Sequence, residues 1–171
     1  METREHQHIE NKIFHLHDRE KLQPLLKQWH ASDQTLVFTN GCFDILHRGH
    51  TDYLAKAADL GHVLLVALNT DESVKRLKGL DRPVNSEQDR AFVLACLGFV
   101  SAVVLFSEDT PLNLIRLVKP DYLVKGGDYS ENDIVGAGEV KKYGGRVISI
   151  PLLPGYSTTS LISKLKKFRH Q

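Results

Sequence analysis

The sequence predicts an α/β fold: one doubly wound parallel sheet of five strands, with helices on both faces. Three observations carry this expectation. Five short apolar runs recur along the chain: TLVFT (35–39), HVLLVALN (62–69), VSAVVLF (100–106), DYLVKG (121–126) and RVISIP (146–151). Each is nearly continuous in apolar residues rather than alternating, as a strand buried on both faces requires. Between them lie segments with helical apolar spacing, and strand–helix alternation of this kind builds parallel sheets with right-handed crossovers. At 171 residues, 42% of them hydrophobic, the chain is long enough for one well-filled core and short for two.

Residues 1–16 are polar, with His6, His8 and His15 scattered among them, and read as a mobile tail or an edge arm. DREKLQPLLKQWH (18–30) predicts a helix: Leu22, Leu25, Leu26 and Trp29 share a face, Asp18 is a candidate N-cap, and Pro24 weakens the start. Residues 1–33 are thus an N-terminal tail and helix, and 34–171 the main domain. After the first strand, HTDYLAKAADLG (50–61) predicts a helix with Gly61 at its C′ position. DESVKRLK (71–78) is a short helix and GLDRPVN (79–85) a turn-rich link. SEQDRAFVLACLG (86–98) opens with Ser86 three residues before Asp89, an acid variant of the capping box. TPLNLIRLVK (110–119) carries Pro111 in its first turn. VGAGEVKKYGG (135–145) is a helix stopped by glycines, and TTSLISKLKKF (158–168) is the last helix. Lys164, Lys166, Lys167 and Arg169 suit the solvated end of that helix, where cations complement the dipole.

Composition narrows the function classes. A formal net charge of +1 supplies no basic field for nucleic acid or a membrane surface. Cys42 and Cys96 do not form a CxxC pair, so neither a zinc ribbon nor a thioredoxin-type motif is supported. METREHQHIENK has no apolar signal core, and no apolar run is long enough to span a bilayer, so a reducing cytoplasm is the expected compartment.

The unusual residues gather at the strand ends. The first strand ends in TNGCFD (39–44), the second in NTD (69–71), the fourth in KGGD (125–128), and PGYSTTS (154–160) follows the fifth. Glycines that let backbone N–H groups approach, lysine charge, and Ser or Thr at a helix N-terminus together make phosphate sites. Neither a GxGxxG fingerprint nor a P-loop is present. TNGCFDILHRGH (39–50) adds two histidines three apart at a helix start. They admit a metal site, with Asp44 the one near third ligand; a histidine nucleophile; or a cradle in which imidazoles stabilise charge developing on phosphorus.

HRGH matches the HxGH motif of the nucleotidyltransferase superfamily, and NGCFDILHRGH resembles its cytidylyltransferase-like branch. The resemblance covers about residues 34–168. RLKGLDRPVN (76–85), SEDTP (107–111), LVKGGDY (123–129), VGAGEV (135–140) and PGYSTTS are most similar to the bacterial heptose-1-phosphate adenylyltransferases. That resemblance implies transfer of AMP from ATP, with Mg²⁺, to a sugar-1-phosphate for lipopolysaccharide or surface-glycan precursors. It also implies a homodimer, and a partner kinase encoded separately. The CTP-dependent glycerol-3-phosphate or phospho-alcohol cytidylyltransferases are the alternative. They carry an arginine where this chain has Leu152, and an Arg-Tyr-Val-Asp segment where it has Gly98, Phe99, Val100 and Ser101. A non-catalytic nucleotide sensor is the alternative of another class.

Carried over residue by residue, the resemblance implies His47, His50 and Lys78 as the catalytic set. Nucleotide binding falls to Thr39, Asn40, Gly41, Phe43, Asp44 and Gly49, to Lys125, Gly126 and Asp128, and to Ser157, Thr158 and Thr159. Asn69, Asp71, Arg82 and Arg90 are expected on the acceptor side. Asp44 is expected to orient a histidine or a metal-bound water, Gly49 to leave the phosphate room, and Cys42 to be a small apolar filler. No protein metal site is expected.

Overall fold

The structure, a computed structural model, describes residues 3–168. In chain order the elements are α1 (Arg4–Glu10), β1 (Ile13–His15), α2 (Arg19–Ala31), β2 (Leu36–Gly41), α3 (Arg48–Ala58), β3 (Val63–Asn69) and α4 (Asp71–Lys78). There follow α5 (Glu87–Ala95), β4 (Ala102–Phe106), α6 (Leu112–Val118), β5 (Tyr122–Gly126), a 3-10 turn (Glu131–Asp133), α7 (Ala137–Lys142), β6 (Arg146–Ile150) and α8 (Thr158–Phe168).

Among the described residues six strands form one parallel sheet, ordered β1-β4-β3-β2-β5-β6, which corrects the expected five. The added strand is IFH, in register with Val103–Leu105 of β4. Over the described residues 3–16 the chain is thus an edge arm: the Lys12 carbonyl accepts from Val103 N at 2.8 Å, and Leu16 N donates to the Leu105 carbonyl at 2.8 Å. Helix α1 lies against α5, with the His6 ring 5.2 Å from that of Phe92.

Alternate residues of each strand feed two separate cores, because successive strand side chains point to opposite faces. On one face Leu36 and Phe38 of β2, Leu65 and Ala67 of β3, and Val104 and Phe106 of β4 pack under α2, α6 and α7. On the other, Val37, Leu64, Val66, Leu68, Val103 and Leu105 pack under α3 and α5. The chain leaves β2 for β3 and β4 on one side, then returns to β5 on the other. The carboxyl ends of β2 and β5 thus flank the topological switch point, where open α/β sheets bind ligands.

Local signals sort into those obeyed and those overridden. Ser86 caps α5, accepting from the Asp89 amide at 3.2 Å. Helix α7 ends at Gly144 (φ +90°), with Gly144 N on the Lys141 carbonyl at 3.2 Å and Gly145 N on that of Val140 at 3.0 Å, a Schellman ending. Asp18 precedes α2 but makes no cap bond; its carboxylate pairs with Lys21 at 2.6 Å. Pro24 lies inside α2, which runs on through it. Gly61 is not a C′ glycine, since α3 closes two residues earlier on Asp59. Gly61 is required by close approach instead: a Cβ there would stand 2.6 Å from the Thr35 carbonyl oxygen. Among the described residues no helix is long and apolar enough to cross a membrane. Of the basic cluster, Lys164 is exposed; the side chains of Lys166 and Lys167, and Arg169, lie outside the described residues.

Candidate active site at the switch point

The turn after β2 places the histidines. Phe43 takes a left-handed φ of +41°, folds its ring back over Gly41, where a Cβ would meet it at 2.8 Å, and is buried against α3. That reversal brings His47 to the N-cap of α3, its Nδ1 accepting from His50 N at 3.4 Å. The two imidazoles stack at 3.8 Å between centroids, 15° from parallel. His47 thus caps the first turn of α3, at the positive end of the helix dipole.

Burial lowers the pKa of both rings. For His47 it is the main cause; for His50, burial, then His47, then Lys78 push the value down to about 4, with the Ile45 carbonyl opposing weakly. His50 Nδ1 is buried with no partner in hydrogen-bond geometry. In the free protein His50 is therefore a neutral ring at pH 7. An arriving anion would favour its protonated, doubly donating form.

Asp44 does not orient a histidine. It is 2% exposed, and its carboxylate accepts from Arg82 Nε, from Val84 N at 2.6 Å and from Asn85 N at 3.3 Å. Asn85 Nδ2 returns a bond to the Asp44 carbonyl at 2.9 Å. Burial alone would raise the Asp44 pKa, but the Val84 amide, the Arg82 guanidinium and the Asn85 amide outweigh it and hold the carboxyl below its ordinary value. Asp44 therefore pins the link between α4 and α5 beside the HRGH turn.

A cleft of about 490 Å³ opens there, lined by His47, Gly49 and His50, by Lys78 and Arg82, and by Leu152 and Tyr156–Thr159. Ser157 caps α8, its Oγ accepting from Ser160 N at 3.0 Å. Two helix N-termini, those of α3 and α8, thus share one cleft. The room at Gly49 is taken by protein: a Cβ there would meet Tyr156 Cβ at 2.8 Å and the His47 ring at 3.1 Å. Gly126 likewise lies under Leu152 and the Tyr53 ring.

A second cavity, about 450 Å³, lies across Lys78 and is lined by Asn40, Cys42, Asn69, Lys125, Asp109 and Asp133 among others. Lys125 donates to Asn40 Oδ1 at 3.3 Å, spanning the switch point. Burial lowers the Lys125 pKa, Cys42 opposes that, and Lys78 adds to it. Cys42 lines this cavity, its Sγ 3.9 Å from Asn69 Oδ1.

Most of the expected site residues converge on these two cavities; several do not. Thr39 is fully buried and bonded to the Tyr53 hydroxyl, so it is a core residue. Asp128 is exposed on the loop after β5 and lines neither cavity. Arg90, expected toward the acceptor, is a buried residue of α5 with protein acceptors on its guanidinium. Asp71 accepts from it at 2.7 Å. Tyr53, Asn85 and Tyr156 were not anticipated. Tyr53 looks like an ordinary core aromatic of α3, and only its hydroxyl, which also reaches the Val124 carbonyl at 3.2 Å, ties β2 to β5. Among the described residues no group of three or more His, Cys, Asp or Glu side chains is placed to hold a metal ion.

The profile of the Cytidylyltransferase-like family matches residues 38–164, which includes every residue of the HRGH turn and the first turn of α8. Proteins named "Bifunctional protein HldE" are similar: that of Methylobacillus flagellatus is 52% identical over 140 residues, 82% of this chain and 29% of that protein. The one from Helicobacter hepaticus is 50% identical over 161 residues, 94% of this chain and 32% of that protein. The chain thus spans about a third of the length of these relatives. A lipopolysaccharide core biosynthesis protein from Thermoplasma volcanium superposes with TM-score 0.58 at 29% identity, covering 70% of this chain and 97% of that one. Pantoate-beta-alanine ligase from Francisella tularensis, at 18% identity and TM-score 0.52 over 85% of this chain and 77% of that one, shares the fold. This chain belongs to the Cytidylyltransferase-like family.

Proposed function

We propose that the chain is an adenylyltransferase: it moves AMP from ATP to a sugar-1-phosphate, a heptose-1-phosphate in the first instance, giving an ADP-sugar and pyrophosphate. Residues 34–171 would carry the transfer, while residues 3–17 lie along the sheet edge and α2 packs into the core. The observation that carries this is the convergence of the α3 and α8 N-termini, with Lys78 and Arg82, on one cleft. Two positive helix ends and the Lys78 ammonium match a triphosphate, with Arg82, whose Nε is held by Asp44, on the wall. A second cavity joined to the first through Lys78 suits an acceptor with its own phosphate and hydroxyls. The sugar is suggested by the relatives, which include a lipopolysaccharide core biosynthesis protein.

A phosphate oxygen of the acceptor attacks the α-phosphorus in line, forming one P–O bond as the bond to pyrophosphate breaks. Catalysis is then positioning and charge stabilisation, with no covalent enzyme intermediate. His47 and His50 donate to the α-phosphoryl oxygens and the departing group. Gly41 and Phe43 hold the turn that presents them. Ser157, Thr158 and Thr159 take the β- and γ-phosphates. Lys78, between the cavities, neutralises charge on both reactants. Lys125, Asn40 and Asn69 bind the acceptor side, and Leu152 and Tyr156 give an apolar wall for the base. Mg²⁺ would enter on the nucleotide, which supplies oxygen ligands and leaves the metal its waters, because Asp44 is already fully engaged by protein.

The test is pyrophosphate release from ATP or CTP against heptose-1-phosphate anomers and glycerol-3-phosphate. ATP with a heptose-1-phosphate is expected to give turnover. Preference for CTP with glycerol-3-phosphate would replace this reading by the cytidylyl one. ATP binding without turnover on any acceptor would make the chain a nucleotide sensor.

A further inference from the structure

We propose that Arg90 is a positioning residue, which fixes where Lys78 stands relative to the His47–His50 turn and touches neither substrate. The inference rests on the nucleotidyl-transfer reading above. Arg90 has a side chain with 0% exposure, and its guanidinium reaches four segments at once. Nη1 donates to the Cys42 carbonyl at 2.6 Å and to the Asn69 carbonyl at 2.9 Å. Nε donates to the Asn85 carbonyl at 3.1 Å, and Nη2 to the Asp71 carboxylate at 2.7 Å. Cys42 belongs to the turn that presents the histidines, and Asn69 ends β3. Asn85 ends the link pinned by Asp44, and Asp71 begins α4.

The planar fork explains why an arginine stands here. Its N–H groups leave in fixed directions, so carbonyls on different segments are held at set angles to one another, which a lysine ammonium cannot do. Helix α4 works as a lever: Asp71 is its first residue and Lys78 its last. That span is about 10 Å of rigid helix, so a small tilt at Asp71 becomes a displacement of the Lys78 ammonium. Glu87, one turn before Arg90 on α5, accepts from Asp71 N at 2.7 Å and holds the same end a second time. A buried cation with every partner a protein oxygen is a poor candidate for a substrate contact and a good one for a brace.

Arg90→Lys, Lys78→Ala and the double variant form the test, with Asp71→Asn as a second, partly exposed way to release the same end of α4. Each is first checked for a native melt. If Arg90 acts through Lys78, R90K lowers kcat at least tenfold, with KM for ATP and acceptor within about threefold. In the K78A background the same change then lowers kcat less than threefold further, and D71N reproduces the pattern more weakly. Should R90K fail to fold, the D71N and K78A cycle decides. A tenfold rise in either KM with kcat unchanged would overturn the proposal in favour of a substrate contact. Multiplicative losses in the double variant, or unchanged kinetics in R90K, would overturn it too. A readout without turnover separates this from failure of the transfer reading, which wild-type protein would reveal by releasing no pyrophosphate. Mg-ATP should shield Lys78 from amine-reactive labelling in wild type and at least threefold less in R90K and D71N at saturating ATP; equal shielding counts against the brace.

Discussion

At the scale of single residues, His47 and His50 stack with their burial unrelieved by any carboxylate, because Asp44 is turned toward the link before α5. If the proposed transfer is right, replacing either by alanine removes a donor to the transition state, and losses on the order of 10²–10³ in kcat are expected. Near-normal turnover in a folded variant would remove that role. The histidines were legible in the sequence because their partners are local. The work of Asp44 was not, since Arg82 lies 38 residues further on. His50 also leaves a pH signature. Its folded pKa of about 4 lies below the ordinary 6.5, so between those values the unfolded chain binds more protons. Stability from this group is complete above the ordinary value and declines as pH falls toward 4. Urea midpoints should therefore drop across that window, and His50→Gln should flatten the decline; an unchanged slope would mean that His50 titrates normally.

At the scale of elements, continuous apolar runs located β2 to β6, and apolar spacing with Gly, Pro and Ser end signals located α2 to α8, because each is long enough to stand out from its flanks. Strand β1 was hidden for the opposite reason. Three residues cannot display a period, and Ile13 and Phe14 are only half-buried at a sheet edge. The Gly61 error shows how one residue type serves two purposes: a glycine after a helix suggests a left-handed cap, but here it lets α3 descend against the start of β2. Gly61→Ala should destabilise by about 2 kcal/mol, the scale of an overpacked core site. The obstacle is a backbone oxygen, and that oxygen already accepts from His62 N at 2.9 Å. A chemical melt within 0.5 kcal/mol of wild type, roughly the spread of neutral surface changes, would show that the strand start shifts freely.

At the scale of the whole molecule, the arm of residues 3–17 covers the outer edge of β4, which would otherwise present unpaired backbone groups. Deleting it should lower the urea midpoint and produce concentration-dependent association, read by light scattering; a monodisperse protein with an unchanged melt would make the arm dispensable. The separation of the two cores has a practical result. The chain's one tryptophan, Trp29, is 8% exposed and belongs to the layer under α2, whereas Phe43, Tyr53 and the HRGH helix belong to the opposite layer. Trp29 also stands near the end of α2 that leads into the start of β2, whereas the cleft lies beyond the carboxyl ends of the strands. Trp29 emission is therefore an internal gauge of folding that substrates should leave undisturbed, so one sample of each variant can report collapse of the fold and loss of chemistry as independent signals.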